Sequence, residues 1–405
     1  MNDEPIVIVG AGHAAMALSA SLADAGQGQR VILVSDEHEL PYQRPPLSKA
    51  FLKNADVAAQ VLRDAAWFAA TGIELILGEA ALSINREART VTLRSGRSLA
   101  YGQLVLATGT RARRMPGWPE AANVHVLRSA QDARALRDGL AASRSVTILG
   151  GGFIGLEVAA TCAALGKPVT LLEAGPRLMG RAVSEALSAH ALEVHRASGV
   201  QVHLQATVGE PEFSQDRLLR LASQSGVRDV DVLLLAVGAL PNAELAQAAG
   251  LVCDNGIVVD AQMRTSDPQI LALGDCAQFP LGSARLRLES IQNAQDQARV
   301  AVSSLLGGSA SYQPVPWFWS EQGGMRLQMV GLFGAGPAET FRREGAQPGA
   351  FSLFHYQQGL LRCVESVNAP ADYMMARKLL EAGASPSGPL VANPGQPLRA
   401  LMPSA

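Results

Sequence analysis

The chain has 405 residues, 48% of them hydrophobic and only 17% charged, with 39 glycines and a formal net charge of −2. That length is too great for one simple core and implies two or three domains. The apolar content excludes a disordered chain, and the near-neutral balance gives no sign of nucleic-acid binding.

The first element is a strand at Ile6–Val9, followed at once by Gly10, Gly12 and Ala15 and a helical pattern at Ala14–Ala25. A second strand, Val31–Val34, leads to Asp36, and a run at Leu104–Ala107 closes with "ATG". The same order then recurs. A strand at Val146–Leu149 runs into Gly150, Gly152 and Gly155 and a helix at Ile154–Leu165. Val169–Leu172 leads to Glu173, and Val232–Ala236 closes with "AVG", ending at Gly238. Strands alternating with helices imply parallel α/β sheets, here in two similar successive units.

After about Asn242 the pattern changes. "TSDPQILALGDC" is expected to be a strand ending in Gly-Asp, with a helix following at Asn293–Leu306. From Trp317 the chain alternates as β segments at Leu327–Leu332, Phe351–Tyr356 and Leu360–Glu365, with a last helix at Ala371–Ala382. This implies a smaller, C-terminal α+β domain. The Pro-, Gly- and Ser-rich tail, Ser385–Leu398, is expected to be loop. Glycine and alanine break every apolar run well short of about 18 residues, so no transmembrane helix is expected. The N-terminus lacks a basic segment leading into a signal-type apolar stretch, which points to a cytoplasmic protein.

Gly10, Gly12 and Ala15 form G-x-G-x-x-A between a strand and a helix. The first glycine makes the tight turn, the second lets backbone approach a pyrophosphate, and the small third residue lets helix and strand pack closely. Free N–H groups at the helix start then face the phosphates. Asp36 is placed to accept hydrogen bonds from an adenosine ribose. Gly150, Gly152 and Gly155 form the full G-x-G-x-x-G, with Glu173 as the acid at the end of the next strand. A carboxylate there favours NADH, because it repels the 2′-phosphate of NADPH. Two dinucleotide sites in one chain suit a relay in which a nicotinamide delivers a hydride to a bound flavin. The first turn is assigned to FAD and the second to NADH.

The four cysteines, Cys162, Cys253, Cys276 and Cys363, include no pair spaced for a CxxC redox couple or a zinc knuckle. Free thiols and no metal site are expected.

Several longer motifs carry a resemblance. They are "PYQRPPLSK" (Pro41–Lys49), "LVLATGTRAR" (Leu104–Arg113), "GGGFIGLEVAA" (Gly150–Ala160), "TSDPQILALGDC" (Thr265–Cys276), "RLESIQNAQDQA" (Arg287–Ala298) and "PWFWSEQ" (Pro316–Gln322). Over essentially its whole length the chain resembles the FAD-dependent, NADH-utilising ferredoxin reductases of bacterial oxygenase systems, the putidaredoxin-reductase-like group. The resemblance implies two Rossmann-like dinucleotide-binding domains in a glutathione-reductase-like arrangement, plus the C-terminal α+β domain. Residues 1–112 and 242–317 would bind FAD, 113–241 NADH, and 318–405 would form the third domain.

It also implies residue roles. Ala14, Asp36, Ala81, Arg128, Asp275 and Ile291 would contact FAD, with Asp275 on the ribityl chain and Ile291 near the ring by its backbone. Gly238 would join the NADH site. Lys49 would reach toward the isoalloxazine, Glu157 would pair with it near the nicotinamide, and Trp319 would stand against the flavin. Glu321 replaces the usual Asp of "WSDQ" and is followed by Gly323 and Gly324, a departure expected to reshape the entrance near Trp319.

Relatives of this fold that reduce disulfides or peroxides carry a cysteine in the segment equivalent to Pro41–Lys49, which here has none. The implied acceptor is therefore a 2Fe–2S ferredoxin serving a monooxygenase or ring-hydroxylating dioxygenase. Such ferredoxins are acidic, which makes Arg63 and Arg299 docking candidates, with Arg377 and Lys378 as weaker ones. Two alternatives stay open: an NADH oxidase or small-quinone reductase, and a redox-switched flavoprotein like apoptosis-inducing factor.

Overall fold

A computed structural model describes residues 4–224, 226–334 and 336–403. The chain forms two compact units. The first comprises Met1–Gln43, Ala59–Arg111 and Ala239–Pro314; the second comprises Arg44–Ala58, Ala112–Gly238 and Val315–Ala405.

The first unit is built on a five-stranded sheet in the order Ile270–Ala272, Gln103–Leu106, Ile6–Val9, Val31–Val34, Glu74–Ile76. All its pairings are parallel. The central strand is uniformly apolar and buried along its whole length, as a parallel strand covered on both faces must be. The helices His13–Asp24 and Ile291–Leu305 pack together in this unit, with Ala15, Leu18, Ala298 and Ala301 in one core.

The second unit repeats the plan. Its parallel sheet runs Gln201–His203, Val169–Leu172, Val146–Leu149, Val232–Leu235, Val124–His125. In both sheets the strand before the glycine turn is central. It is flanked by the strand leading to the acid and by the strand closing with Ala-x-Gly. The unit also holds a five-stranded antiparallel sheet, ordered Trp317–Gln322, Met325–Gly331, Leu360–Val367, Phe351–Gln357, Glu339–Glu344. The helix Pro370–Glu381 covers it through Tyr373, Ala376 and Leu379, packed on Val330, Phe354 and Val364.

With one exception, the expected strands and helices named above fall within one or two residues of those observed. In "TSDPQILALGDC" only Ile270–Ala272 is strand, and its Gly-Asp end closes as the 3₁₀ turn Gly274–Cys276. The tail is also corrected: it is not all loop. Gly388–Ala392 forms a short helix and Leu398–Leu401 a 3₁₀ turn. They are anchored because Val391 and Leu398 enter the core beside Tyr373. The Arg343 guanidinium also donates to the carbonyls of Val391, Asn393 and Pro394. Among the described residues no helix is long and apolar enough to cross a membrane.

Candidate active site

The two glycine turns are nearly superimposable in their bonding. Gly10 N–H donates to Val34 O at 2.8 Å, and Gly150 N–H to Leu172 O at 2.8 Å. Ala107 N–H reaches Val9 O at 2.9 Å, and Ala236 N–H reaches Leu149 O at 2.7 Å. Gly10 has φ +101° and Gly150 φ +104°, conformations open to glycine alone at low cost. A Cβ on either would lie 2.3 Å from a carbonyl, that of Ala107 or Ala236. The second glycines, Gly12 and Gly152, face open space, where a Cβ would meet nothing within 4 Å. The third positions differ. A Cβ at Gly155 would sit 2.1 Å from Gly150 O, whereas Ala15 is accommodated, fully buried, in the first unit.

The helices that follow are left uncapped. Ala130–Ala142, Glu185–Ala197 and Ile291–Leu305 each begin with a serine whose hydroxyl accepts a main-chain N–H. The helices after the turns begin at Gly12 and Gly152 with no side-chain cap and no acid in the first turn. Uncapped N–H groups beside a glycine cradle are the donor set a pyrophosphate requires, so both sites fit a dinucleotide. In the first unit, Gln297 Oε1 accepts from Gly274 N–H at 2.7 Å in the Gly-Asp turn. Its buried Nε2 has no partner in the protein, a donor suited to a bound group.

The acids differ between the units. Glu173 directly follows its strand, and its carboxylate accepts from Gly151 N–H and Gly175 N–H, each at 2.6 Å. Its main chain continues the sheet, with Glu173 N–H donating to His203 O. In the first unit Ser35 holds the equivalent place, donating to Ile76 O. Asp36 comes one residue later and is exposed.

Lys49 and Glu157 come together within the second unit. The prolines of the 3₁₀ turn Pro45–Ser48 set its entry, and Thr161 Oγ1 donates to Ser48 O at 2.9 Å. Glu157 and Thr161 are four apart on one face of the helix Phe153–Ala164. Lys49 Nζ donates to Glu157 Oε2 at 2.6 Å and to Pro45 O and Ser48 Oγ at 3.3 Å each. Glu157 Oε2 also accepts from Ser48 Oγ at 2.5 Å, and Oε1 from Ser320 Oγ at 2.8 Å. The Glu157 side chain is 6% exposed and is the one charged group of a helix that is apolar apart from it and Thr161. A carboxylate in such surroundings requires the partners it has. Of these, Ser48 lay inside a recognised motif and Ser320 inside another, but neither had a sequence signal of its own.

The strand Trp317–Gln322 alternates. Phe318, Ser320 and Gln322 share one face, where Phe318 packs on Phe153 with ring centroids 4.5 Å apart. Trp319 is on the other face beside Trp317, centroids 5.8 Å apart, and the Arg377 guanidinium lies 5.3 Å from the Trp317 ring. Gly323 and Gly324 form the two-residue turn of a hairpin, with Gly323 at φ +65°. The Glu321 side chain is exposed.

The remaining candidates are distributed as follows. In the first unit, Asp275 lies in the 3₁₀ turn Gly274–Cys276, where a Cβ on Gly274 would be 2.9 Å from the Ala14 Cβ. Ile291 opens the helix capped by Ser290, and Ala81 opens the strand Ala81–Asn85. In the second unit, Arg128 O accepts from Arg44 Nη1 at 2.7 Å, which ties it to the Pro45–Ser48 turn. Gly238 has φ +106°. Arg63 stacks over Trp67 at 5.5 Å, whereas Arg299 is paired with Asp296 and Arg377 with Glu381. Lys378 occupies the last turn of its helix.

All four cysteines are free thiols, and Cys162, Cys276 and Cys363 are fully buried. Burial pushes the Cys162 thiol up to about 12 and raises Cys276, Cys363 and Cys253 as well. None is poised as a thiolate at neutral pH.

Two parallel sheets, each bearing an uncapped glycine turn at its central strand, together with an additional antiparallel sheet, define a two-dinucleotide flavoprotein oxidoreductase. The chain belongs to the pyridine nucleotide-disulphide oxidoreductase family, whose model matches residues 4–298, and a reductase C-terminal model matches residues 317–402. The family uses FAD and NAD(H). The chain is 42% identical to the anthranilate 1,2-dioxygenase system ferredoxin–NAD(+) reductase component of Burkholderia cepacia, over 99% of this chain and 100% of that one. It is similar to the ferredoxin reductase for the CYP199A2 system from Rhodopseudomonas palustris, with TM-score 0.93, 40% identity, and coverage of 98% of this chain and 99% of that one. It is likewise similar to the reductase of a covalent putidaredoxin reductase–putidaredoxin complex, with TM-score 0.93, 36% identity, and coverage of 99% and 98%.

Proposed function

We propose that this protein is an NADH-dependent ferredoxin reductase, passing electrons from NADH through FAD to a 2Fe–2S ferredoxin that serves a monooxygenase or ring-hydroxylating dioxygenase. The observation that carries the proposal is the duplicated turn: Gly10 against Ala107 and Gly150 against Ala236, each opening an uncapped helix. Full-length relatives from oxygenase systems support the acceptor, as do four unpaired cysteines.

Bound FAD supplies the conversion of one hydride into single electrons. The chain's residues do the rest. Residues 1–112 and 242–317 hold FAD, 113–241 hold NADH, and 318–405 form the third domain. Ala14, Asp36, Ala81, Arg128, Asp275 and Ile291 contact FAD. Glu173, held rigid by two main-chain N–H groups, accepts the adenosine ribose hydroxyls and repels a 2′-phosphate. Lys49 places a positive charge at the reacting centre, Glu157 fixes it, and Trp319 packs beside it. Arg63 contributes to docking an acidic ferredoxin more than Arg299 does, because Asp296 offsets the charge of Arg299. The protein works in the cytoplasm.

The test is reconstitution. Purified protein is expected to be yellow with non-covalent FAD, to oxidise NADH, and to reduce a 2Fe–2S ferredoxin anaerobically. Turnover with quinone or oxygen alone would point instead to an oxidase or quinone reductase.

A further inference from the structure

The carboxylate of Glu157 is held from two sides. Ser48 and Lys49 occupy Oε2, while Oε1 receives the Ser320 hydroxyl at 2.8 Å and the Glu321 N–H only at 3.4 Å, too long to hold it alone. Ser320 is fully buried, as are Gln322 and His195 behind it.

The direction of this chain of bonds can be read from its far end. His195 Nδ1 is buried and has no partner in the protein, whereas Nε2 lies 3.0 Å from Gln322 Oε1. Burial lowers the imidazole pKa, so the ring is neutral near pH 7 and carries one proton. On Nδ1 that proton would be a buried donor without an acceptor; on Nε2 it is donated to Gln322 Oε1. The Gln322 amide is thereby oriented. Its Nε2 donates to Ser320 Oγ at 3.2 Å and meets Met179 Sδ at 3.5 Å. With its lone pair so engaged, Ser320 turns its own proton to Glu157.

We infer that Ser320 is a positioning residue for the Lys49–Glu157 pair, and that Gln322 and His195 set the direction in which its hydroxyl points. The C-terminal sheet therefore does more than cover the nucleotide-binding fold: its edge strand fixes the carboxylate that orients Lys49. This inference rests on the assignment of Lys49 and Glu157 to hydride transfer. Without Ser320 the carboxylate rotates about its remaining anchors, and Lys49 follows it.

The experiment compares Ser320→Ala, Ser320→Thr, Gln322→Glu and Lys49→Met in the FAD-loaded full chain. Stopped-flow gives the rate of flavin reduction at saturating NADH and the NADH dissociation constant; dye equilibration gives the flavin midpoint potential. Gln322→Glu keeps the shape but offers a carboxylate that draws the Ser320 proton away from Glu157. Ser320→Ala and Gln322→Glu are expected to slow flavin reduction about tenfold, the effect of losing one hydrogen bond to a charged group. NADH affinity should hold within about twofold and the potential should fall, while Ser320→Thr restores both. If Ser320→Ala fails to fold, Gln322→Glu decides. Unchanged rate and potential in Ser320→Ala and Gln322→Glu, with Lys49→Met slow, would overturn the positioning role and leave the Lys49 assignment standing. An unaffected Lys49→Met would overturn both.

Discussion

Lys49 Nζ and Glu157 Oε2 are 2.6 Å apart, and the lysine has no spare donor: its other contacts are Pro45 O and Ser48 Oγ, 3.3 Å each. The ammonium is fixed in place by the segment that carries it and by the helix that opens at the second glycine turn. Lys49→Met leaves Glu157 buried with two serine hydroxyls and one long main-chain N–H contact but no cation. Loss of one member of a buried pair costs about 3–5 kcal/mol, and urea unfolding should report a loss near the lower end because the lysine is partly exposed. A stability equal to wild type would mean that the pair contributes nothing net.

The two turns predict separable losses. Ala at Gly10 meets Ala107 O, and Ala at Gly150 meets Ala236 O, both in left-handed backbone that costs about 1–2 kcal/mol before any clash. Gly10→Ala should purify with little flavin. Gly150→Ala should stay yellow but need at least about tenfold more NADH for half-maximal flavin reduction. The absorbance spectrum and an NADH titration check this; retention of full flavin by Gly10→Ala would count against the FAD assignment.

Glu173 is the residue we propose to set the preference for NADH. Glu173→Arg removes the acceptor of the Gly151 and Gly175 N–H groups and supplies a guanidinium for a 2′-phosphate. Efficiency with NADH should fall and that with NADPH should rise, measured as the ratio of kcat/KM values. A wild-type protein equally efficient with both would refute the role of Glu173.

The buried thiols predict a pH dependence. Folding raises the pKa of Cys162 to about 12, and Cys276 and Cys363 are raised too, so the folded state holds these protons more tightly than the unfolded chain. Their contribution is complete below the ordinary thiol pKa and is lost as pH climbs from about 9 toward the folded values. The melting temperature should fall over that alkaline range. Replacing the three by Ala should flatten the fall, at a cost in stability from the space left behind.

Much of this architecture is legible in the sequence because backbone chemistry dictates it. A glycine that must adopt positive φ beside a carbonyl, as Gly10 and Gly150 do, leaves a mark that no other residue can make. The strands Ile6–Val9 and Val146–Leu149 are uniformly apolar because parallel sheets bury both faces. The three-stranded sheet Val208–Ser214, Arg217–Ser223 and Gly226–Asp229 went unread, since its strands are half-exposed and rich in charge. The ordered tail escaped notice for a different reason: its anchor, Arg343, lies some fifty residues upstream. The same holds for the Glu157 site. Ser320 and Gln322 are ordinary polar residues on a strand until tertiary structure brings them to Glu157 and His195.

Anaerobic stopped-flow with NADH and a 2Fe–2S ferredoxin from a related oxygenase system tests the central claim most directly, using a variant with all four cysteines replaced by Ser or Ala. NADH should bleach the flavin, and about two ferredoxins should then be reduced per NADH consumed, at rates within a few-fold of wild type. Arg63→Glu should slow only the second phase and weaken its salt dependence, because charge steers the protein partner but not NADH. A folded cysteine-free protein whose flavin is reduced normally by NADH, but which passes no electrons to ferredoxin, would contradict the account.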